Sequence, residues 1–236
     1  MTLELKPIPS NTWQAQYNVL MQDKYLSKKY NRKRRIKDKR KFMGEMTPEL
    51  KHCTDKIVLD IGPGMGEYLE ICREFGHKVY GIDAEIDDCE MGNEYIKMSK
   101  LMIDRQKIAV KYIGFDRYLD GAPAYHFLDG SVFYIVMQGS IEQCFKDYMT
   151  GPPHRKTKKA SGLKWKTDKP TWDIFYKMFE EFDRILVDGG YIVIWANGSK
   201  NNVEYDDMIL RTAKKFPAFK LFKKIKKTFH KFRIMR

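Results

Sequence analysis

The pattern of hydrophobic and polar positions changes period sharply in the first third of the chain. A short β-branched apolar run at residues 57–61 predicts a buried strand, and a glycine-rich turn at 62–66 follows it. Residues 68–75 then space their apolar side chains as a helix does, and a second apolar run at 78–82 closes on Asp83. This pattern predicts a βαβ unit with a carboxylate at the tip of its second strand, where it can bind the two hydroxyls of a ribose.

Periodicity predicts the other elements in the same way. Helical spacing occurs at residues 10–30, 87–106, 171–186 and 203–215. Apolar runs predict strands at 108–113, within 127–137, within 187–195, and at 219–222 and 229–234. The last two strands are joined by a short lysine-rich connection at 223–227 and predict a hairpin.

Charge is distributed unevenly along the 236 residues, whose formal net charge is +13. Residues 24–41 hold eleven Lys or Arg and one acid, residues 155–169 hold seven and one, and residues 214–236 hold ten and none. The remainder of the chain is acidic. The sequence therefore predicts a mildly acidic domain with three basic attachments, and a run of this kind is most often a solvated helix face or a flexible arm.

Composition favours a globular protein. No apolar run approaches the roughly 20 residues of a membrane span, and the first residues lack the hydrophobic region of a signal peptide. The cysteines are scattered, without the paired spacing of a zinc site or a disulfide framework; they are Cys53, Cys72, Cys89 and Cys144. We expect a cytoplasmic protein with reduced thiols, no metal and no membrane span.

The glycine turn distinguishes two classes of nucleotide cofactor. The dinucleotide fingerprint requires a further glycine where this chain has Glu67. The motif present, Asp60-Ile61-Gly62-Pro63-Gly64-Met65-Gly66, closely resembles the first motif of class I (Rossmann-like) S-adenosylmethionine-dependent methyltransferases. A glycine-rich turn without a ligand is the other interpretation. Asp83, about twenty residues beyond Gly62, weighs against it.

Two further segments resemble the same family. One is the helix that leads through Gly189-Gly190 into a strand, and the other is the C-terminal hairpin, whose last strand runs antiparallel to the rest. The resemblance implies an α/β fold: a seven-stranded, mostly parallel, doubly wound sheet with a C-terminal antiparallel hairpin and a helical N-terminal extension. It implies a basic helical extension at 1–50 and a cofactor domain at 51–236, with a basic insertion at about 150–170.

The resemblance also implies a set of cofactor-binding residues near the strand ends. They are Asp60, Gly62, Pro63, Gly64, Gly66, Asp83, Ala84, Phe115, Asp116 and Gln138. Asp60 would orient the loop or the methionyl amino group, Asp83 would bind the ribose, and Gln138 would reach the methionyl end. Phe115 and Asp116 are assigned to adenine, although a core phenylalanine and a helix cap are equally open interpretations.

The acceptor end is less defined. The titratable groups that we place near it are His154, Glu142 and His126, although residues of this kind are more often surface or loop residues. In the N-terminal extension, Trp13 and Tyr17 either close over the cofactor or pack on the domain.

If the three basic stretches surround one entrance, they favour an anionic acceptor, because clustered cations raise the local concentration of anions. The resemblance then implies an S-adenosylmethionine-dependent enzyme that methylates an anionic small molecule or glycan, at oxygen. An alternative is a methyltransferase of RNA or another nucleic acid, with the basic arms and their interleaved aromatic residues as the contact surface. A cofactor-binding or partner-binding protein without turnover is a third interpretation. For the basic stretches themselves, the alternative is that their lysines only keep the protein soluble.

Overall fold

The structure is a computed structural model that describes residues 13–21, 31–83, 93–112, 118–119, 126–138, 169–195, 202–226 and 229–236. Its helices are α1 (Trp13–Leu20), α2 (Arg32–Met46), a 3₁₀ helix (Pro48–Lys51), α3 (Glu67–Glu74), α4 (Asn93–Gln106), α5 (Lys169–Ile185) and α6 (Asn202–Ala213). Its strands are β1 (Ile57–Ile61), β2 (Lys78–Asp83), β3 (Ala109–Tyr112), β4 (Val132–Gln138), β5 (Leu186–Trp195), β6 (Phe219–Lys226) and β7 (Phe229–Ile234). Within this described part of the chain, every helix is too short or too polar to cross a membrane.

The described strands form one seven-stranded sheet in the order β3-β2-β1-β4-β5-β7-β6. Strands β1 to β5 pair in parallel, and β7 lies antiparallel between β5 and β6. The predicted fold class is therefore confirmed, including the closing hairpin. The order reverses between β1 and β4, and ligands of open α/β sheets bind at the carboxyl ends of the strands beside such a reversal.

The core lies on both faces of this sheet because side chains alternate along each strand. In β1, Leu59 and Ile61 belong to one buried cluster and Val58 to the other. The first cluster packs against α5 and α6 and contains Phe175, Phe179 and Phe182. The second packs against α2, α3 and α4. The sheet is thus doubly wound, as the sequence predicts.

Part of the predicted basic extension is a packed helix. Helix α2 begins at an Asn31 cap, whose side chain accepts a hydrogen bond from Arg34 N at 3.0 Å. Its C-terminal residues Phe42, Met43 and Met46 are buried in the second core cluster. This basic run is therefore neither a flexible arm nor a wholly solvated helix from residue 31 onward, because one face of it joins the core.

The C-terminal hairpin differs from its predicted boundaries. The sequence predicts a strand at 219–222 and a lysine-rich turn at 223–227, whereas β6 continues to Lys226. Lys223 pairs with Lys231 and Lys226 with Phe229, through two irregularities in the register. Because β6 is an edge strand, lysines can extend it with one face in water, and charge at an edge also opposes pairing with other chains.

Candidate cofactor-binding site

The loop after β1 lies where the sheet reverses its strand order. β1 ends at Ile61, and Gly62 donates its backbone N–H to the Ile82 carbonyl of β2 at 2.7 Å. Gly62, Gly64 and Gly66 have positive φ angles of 76°, 56° and 76°. A side chain at any of these positions would strain the backbone, so the conformation of this loop requires its three glycines. The loop turns the chain directly into α3.

Neighbouring elements hold the glycine loop in place. The Ser99 hydroxyl of α4 donates to the Gly64 carbonyl at 2.5 Å. A Cβ at Gly81 of β2 would lie 2.9 Å from Pro63 Cγ, so the loop packs against β2 only because residue 81 is glycine. Neither contact was predicted from the sequence. Gly81 had a usable signal, since a glycine inside an apolar strand often marks a close backbone approach.

Helix α1 covers the outer side of this loop. Met65 of the loop joins Met98 and Met102 of α4 in a small buried cluster, and Tyr17 and Leu20 of α1 pack against it. The sequence left open whether Tyr17 closes over a cofactor or packs on the domain, and in the structure it packs on the domain. The cluster against which it packs nevertheless contains Met65 of the glycine motif.

Asp83 faces the loop from the end of β2. Its Oδ2 accepts a hydrogen bond from the backbone N–H of Gly64 at 3.1 Å. β1 and β2 are adjacent parallel strands, so the carboxylate and the glycine loop occupy the same edge of the sheet. This is the placement that the spacing of the motif predicts for a group that binds a ribose.

Asp60, near the end of β1, is the most unusual polar group of the site. It is only 2% exposed, and its Oδ1 has no hydrogen-bond partner in the part of the chain that the structure describes. Burial raises the pKa of the Asp60 carboxyl to about 7, an effect that the charge of Lys39 opposes and the charges of Asp83 and Glu67 reinforce. A buried polar atom without a partner costs free energy, so a bound polar group here would stabilise the site.

Lys39 reaches this site from α2. Its ammonium donates to Oε1 of Gln138, the last residue of β4. Burial lowers the pKa of Lys39, and among nearby charges Asp60 and then Glu67 raise it most. Lys39 is thus a cation between the ends of β1 and β4. In the sequence, Lys39 is one residue of a basic run. Its contact with Gln138 could not be predicted, because the two residues are 99 positions apart in the chain.

Three of the four arginines of α2 pair with acids of α3. Arg35 contacts Glu67 at 2.5 and 3.1 Å. Two further pairs, Arg32 with Glu70 at 2.7 Å and Arg40 with Glu74 at 2.5 Å, repeat this arrangement along the two helices. Because these cations are neutralised by acids, the net charge of the run overstates the positive potential that α2 offers to a ligand.

The structure brings most of the predicted cofactor residues to one edge of the sheet. These are Asp60, Gly62, Pro63, Gly64, Gly66, Asp83 and Gln138. Five predicted residues lie outside the described part of the chain: Ala84, Phe115, Asp116, Glu142 and His154. His126 is exposed and precedes the first residue of β4, whereas Gln138 is at the other end of that strand. Its predicted place near the acceptor is therefore not where the structure puts it.

A scan against protein-family models finds no match, and neither does a search of curated proteins. Among solved structures, the chain is similar to a SAM-dependent methyltransferase from Archaeoglobus fulgidus, with 18% identity and a TM-score of 0.46 over 89% of this chain and 79% of that chain. A SAM-dependent methyltransferase from Aquifex aeolicus gives 14% identity and a TM-score of 0.43, over 81% and 87%. Geranyl diphosphate C-methyltransferase from Streptomyces coelicolor, solved with S-adenosyl-L-homocysteine, gives 15% identity and a TM-score of 0.44 over 77% of this chain and 58% of that chain.

At these identities and TM-scores, we take the fold class from the sheet itself. An antiparallel β7 between β5 and β6 is the arrangement that the resemblance to class I methyltransferases predicts. The fold is therefore the class I, Rossmann-like methyltransferase fold.

Proposed function

We propose that the protein is an S-adenosylmethionine-dependent methyltransferase whose cofactor lies against the glycine loop. The observation that carries this proposal is the buried Asp60 carboxylate, whose Oδ1 lacks a partner within the described residues beside that loop. A polar, positively charged group of a ligand would complete its hydrogen bonds. A glycine turn that only joined two elements would have no need of such a carboxylate.

Each described residue of the site suits one part of this cofactor. Asp83 accepts hydrogen bonds from the ribose hydroxyls, and its contact with Gly64 N fixes the orientation of the carboxylate. Asp60 binds the methionyl amino group, directly or through a water molecule. Gln138 approaches the methionyl end from β4. Ala84, Phe115 and Asp116 are assigned to the adenosine part by resemblance alone.

When bound, S-adenosylmethionine supplies a methyl group that its sulfonium makes electrophilic. The chain then has to align an acceptor atom with the sulfur–methyl bond and exclude water from it. A hydroxyl acceptor also requires a base. Glu142 and His154 stay candidates for this base from the sequence, while the exposed His126 is set aside.

We further infer that the acceptor is an anionic small molecule or a glycan, methylated at oxygen. β6 runs in the same direction as β4, so its carboxyl-terminal half lies toward the edge that holds the cofactor site. Lys223 in that half is exposed, as is Lys220 earlier in the strand. The paired arginines of α2 contribute less to attracting an anion, so the lysines of the hairpin carry this inference. The basic insertion predicted at about 150–170 lies almost wholly outside the described residues.

Incubation with S-adenosylmethionine labelled in its methyl group tests the activity. Fractions of small anions, glycans, lipids and RNA serve as acceptors, and we expect the label in the first two. Label found only in RNA would contradict the proposed acceptor class and would still support methyltransferase activity. Saturable binding of S-adenosylmethionine with no S-adenosylhomocysteine formed from any fraction would support a binding protein instead.

The salt response tests the role of the lysines. We expect kcat/KM to fall by more than about tenfold between low and moderate salt, since screening weakens attraction between exposed charges. Lys223→Gln should flatten this response. Lys78→Gln is the matched control, because Lys78 is an exposed lysine at the opposite, amino-terminal end of β2. A flat salt response in the wild-type protein would contradict an electrostatic role.

A further inference from the structure

Lys39 occupies a defined place between the ends of two central strands. Its ammonium contacts Gln138 at the end of β4, and Asp60 at the end of β1 is the acid that acts on it most strongly. The helix that carries Lys39 is anchored on both sides of this residue. Arg35, one turn before, pairs with the buried Glu67, and Phe42, about one turn later, is in the core.

The local chemistry points to a ligand rather than to an internal ion pair. Asp60 Oδ1 has no hydrogen-bond partner among the described residues, although the charge of Lys39 acts on this carboxyl. Lys39 instead donates to the neutral amide of Gln138. A buried acid and a half-buried lysine whose charges act on each other without a complete pairing leave two hydrogen-bonding positions of opposite charge.

Two such positions complement the end of an amino acid, which carries an ammonium and a carboxylate on one carbon. The methionyl part of S-adenosylmethionine has this end. We propose that Lys39 binds the α-carboxylate of the methionyl part while Asp60 binds its α-amino group. This proposal rests on the proposed function and adds to it a cofactor-binding residue from the basic N-terminal helix.

The assignment gives Lys39 a role different from that of the three arginines that attach α2 to α3. Arg32, Arg35 and Arg40 of this helix pair with acids of α3 and fix its position. Lys39 lies on the same side as Arg35, one turn further along, and extends to the strand ends. The helix therefore uses these three arginines for attachment and presents Lys39 to the cofactor.

Calorimetric titration with two ligands tests the proposal. S-Adenosylmethionine and decarboxylated S-adenosylmethionine differ only in the α-carboxylate. Wild-type protein should prefer the first. Lys39→Met should weaken binding of S-adenosylmethionine by about 10- to 100-fold, the range for loss of one charge-assisted hydrogen bond, and should leave binding of the decarboxylated ligand unchanged or tighter.

Two control variants separate binding from folding. Lys37→Met removes an exposed cation from the same helix and should bind both ligands as the wild type does. Lys39→Arg keeps the charge and should retain most of the preference for the carboxylate. Thermal unfolding without ligand establishes that each variant is folded.

The outcomes distinguish this inference from the function on which it rests. Equal weakening of both ligands by Lys39→Met, or no weakening of either, would overturn the role of Lys39 and leave the cofactor site intact. Failure of wild-type protein to bind either ligand would overturn the proposed function and this inference with it. Loss of affinity for the carboxylated ligand alone supports both.

Discussion

Lys231 and Lys39 each interact electrostatically with a carboxylate, Glu49 and Asp60, and the two sites differ in how completely their groups are hydrogen-bonded. Lys231 of β7 donates to both carboxylate oxygens of Glu49, at 2.8 and 2.7 Å, and to the Met46 carbonyl at 2.9 Å. Lys39 lies near Asp60, yet Asp60 Oδ1 is left without a partner in the described part of the chain. One cluster is saturated and the other is incomplete.

The difference separates a structural role from a binding role. The Lys231 side chain is only 2% exposed, and its ammonium lies 4.7 Å from the ring centre of Tyr191. Glu49 belongs to the 3₁₀ helix after α2, so this cluster joins the N-terminal segment to the hairpin. A saturated buried cluster has nothing left to offer a ligand. An incomplete cluster at the ends of strands still has hydrogen-bonding groups that a ligand can use.

The largest effect is expected from breaking the saturated cluster. Lys231→Met should lower the free energy of unfolding by about 3 kcal/mol, because Glu49 would lose its cation while staying mostly buried. Affinity for S-adenosylmethionine should stay within about twofold of wild type, less than 1 kcal/mol. Urea unfolding and calorimetry measure the two quantities. A large loss of affinity with unchanged stability would reverse the roles given to the two clusters.

A double variant sharpens the same comparison. Removing the charge of Glu49 together with Lys231, as Glu49→Gln with Lys231→Met, should cost less than the sum of the two single changes, with a coupling of about 1–3 kcal/mol. Additive effects would mean that the two groups do not act as a pair.

Removing the charge of Asp60 from the incomplete cluster should have the opposite effect: the protein should become more stable and bind S-adenosylmethionine less tightly. Asp60→Asn should raise the free energy of unfolding at pH 8 without ligand by about 1–2 kcal/mol, because it removes a buried charge. The raised pKa of Asp60, about 7 against the usual 3.8, means that the folded protein keeps a proton that the unfolded chain has released. Protonated Asp60 therefore contributes its full share of the free energy of unfolding below about pH 4, and this contribution is lost as the pH rises to about 7.

The gain from Asp60→Asn should therefore grow with pH between those limits. Unfolding in urea at several pH values measures it. Destabilisation by this substitution at pH 8 would show that Asp60 is already satisfied in the free protein, and it would remove the main support for a ligand at this position.

A smaller effect concerns the pH dependence of binding. The ligand's ammonium requires an ionised Asp60, so affinity for S-adenosylmethionine should fall as the pH drops below about 7, by at most tenfold for each pH unit. Calorimetry at pH values from about 6 to about 8, one unit on each side of the Asp60 pKa, measures this change in affinity. The Asp60→Asn protein should show no such slope. An equal slope in both proteins would assign the titration to another group.

The smallest effect is expected at an exposed pair on α2. Arg34 Nε lies 3.8 Å from Asp38, and both side chains are largely exposed. Arg34→Ala should change the free energy of unfolding by less than about 0.5 kcal/mol and leave binding unchanged. A larger loss would mean that charge on α2 stabilises the protein without regard to burial, and the contrast between the two buried clusters would lose its meaning.

What the sequence predicts well is what neighbouring residues determine. The glycine loop, its connection to Asp83 and the C-terminal hairpin all follow from spacing over short stretches, and the described structure contains each of them. The end of β6 at Lys226 was predicted wrongly because lysines are typical of turns and also suit an exposed edge strand.

What the sequence misses are contacts between distant segments. Arg35 and Glu67 are 32 residues apart, Lys39 and Gln138 are 99 apart, and Glu49 and Lys231 are 182 apart. A run of basic residues shows how many cations there are but not which acids meet them. Which cations of α2 pair with the acids of α3 is therefore seen only in the structure.

Titration of the wild-type protein with S-adenosylmethionine at pH 8 is the most direct test of a cofactor beside Asp60 and Asp83. We expect one saturable site per chain with a dissociation constant in the micromolar range, near −8 kcal/mol, and a loss of about 100-fold on Asp83→Ala, the size expected for a charged hydrogen-bond acceptor. Wild-type protein that gives no saturable binding up to about 1 mM, weaker than −4 kcal/mol, would contradict it.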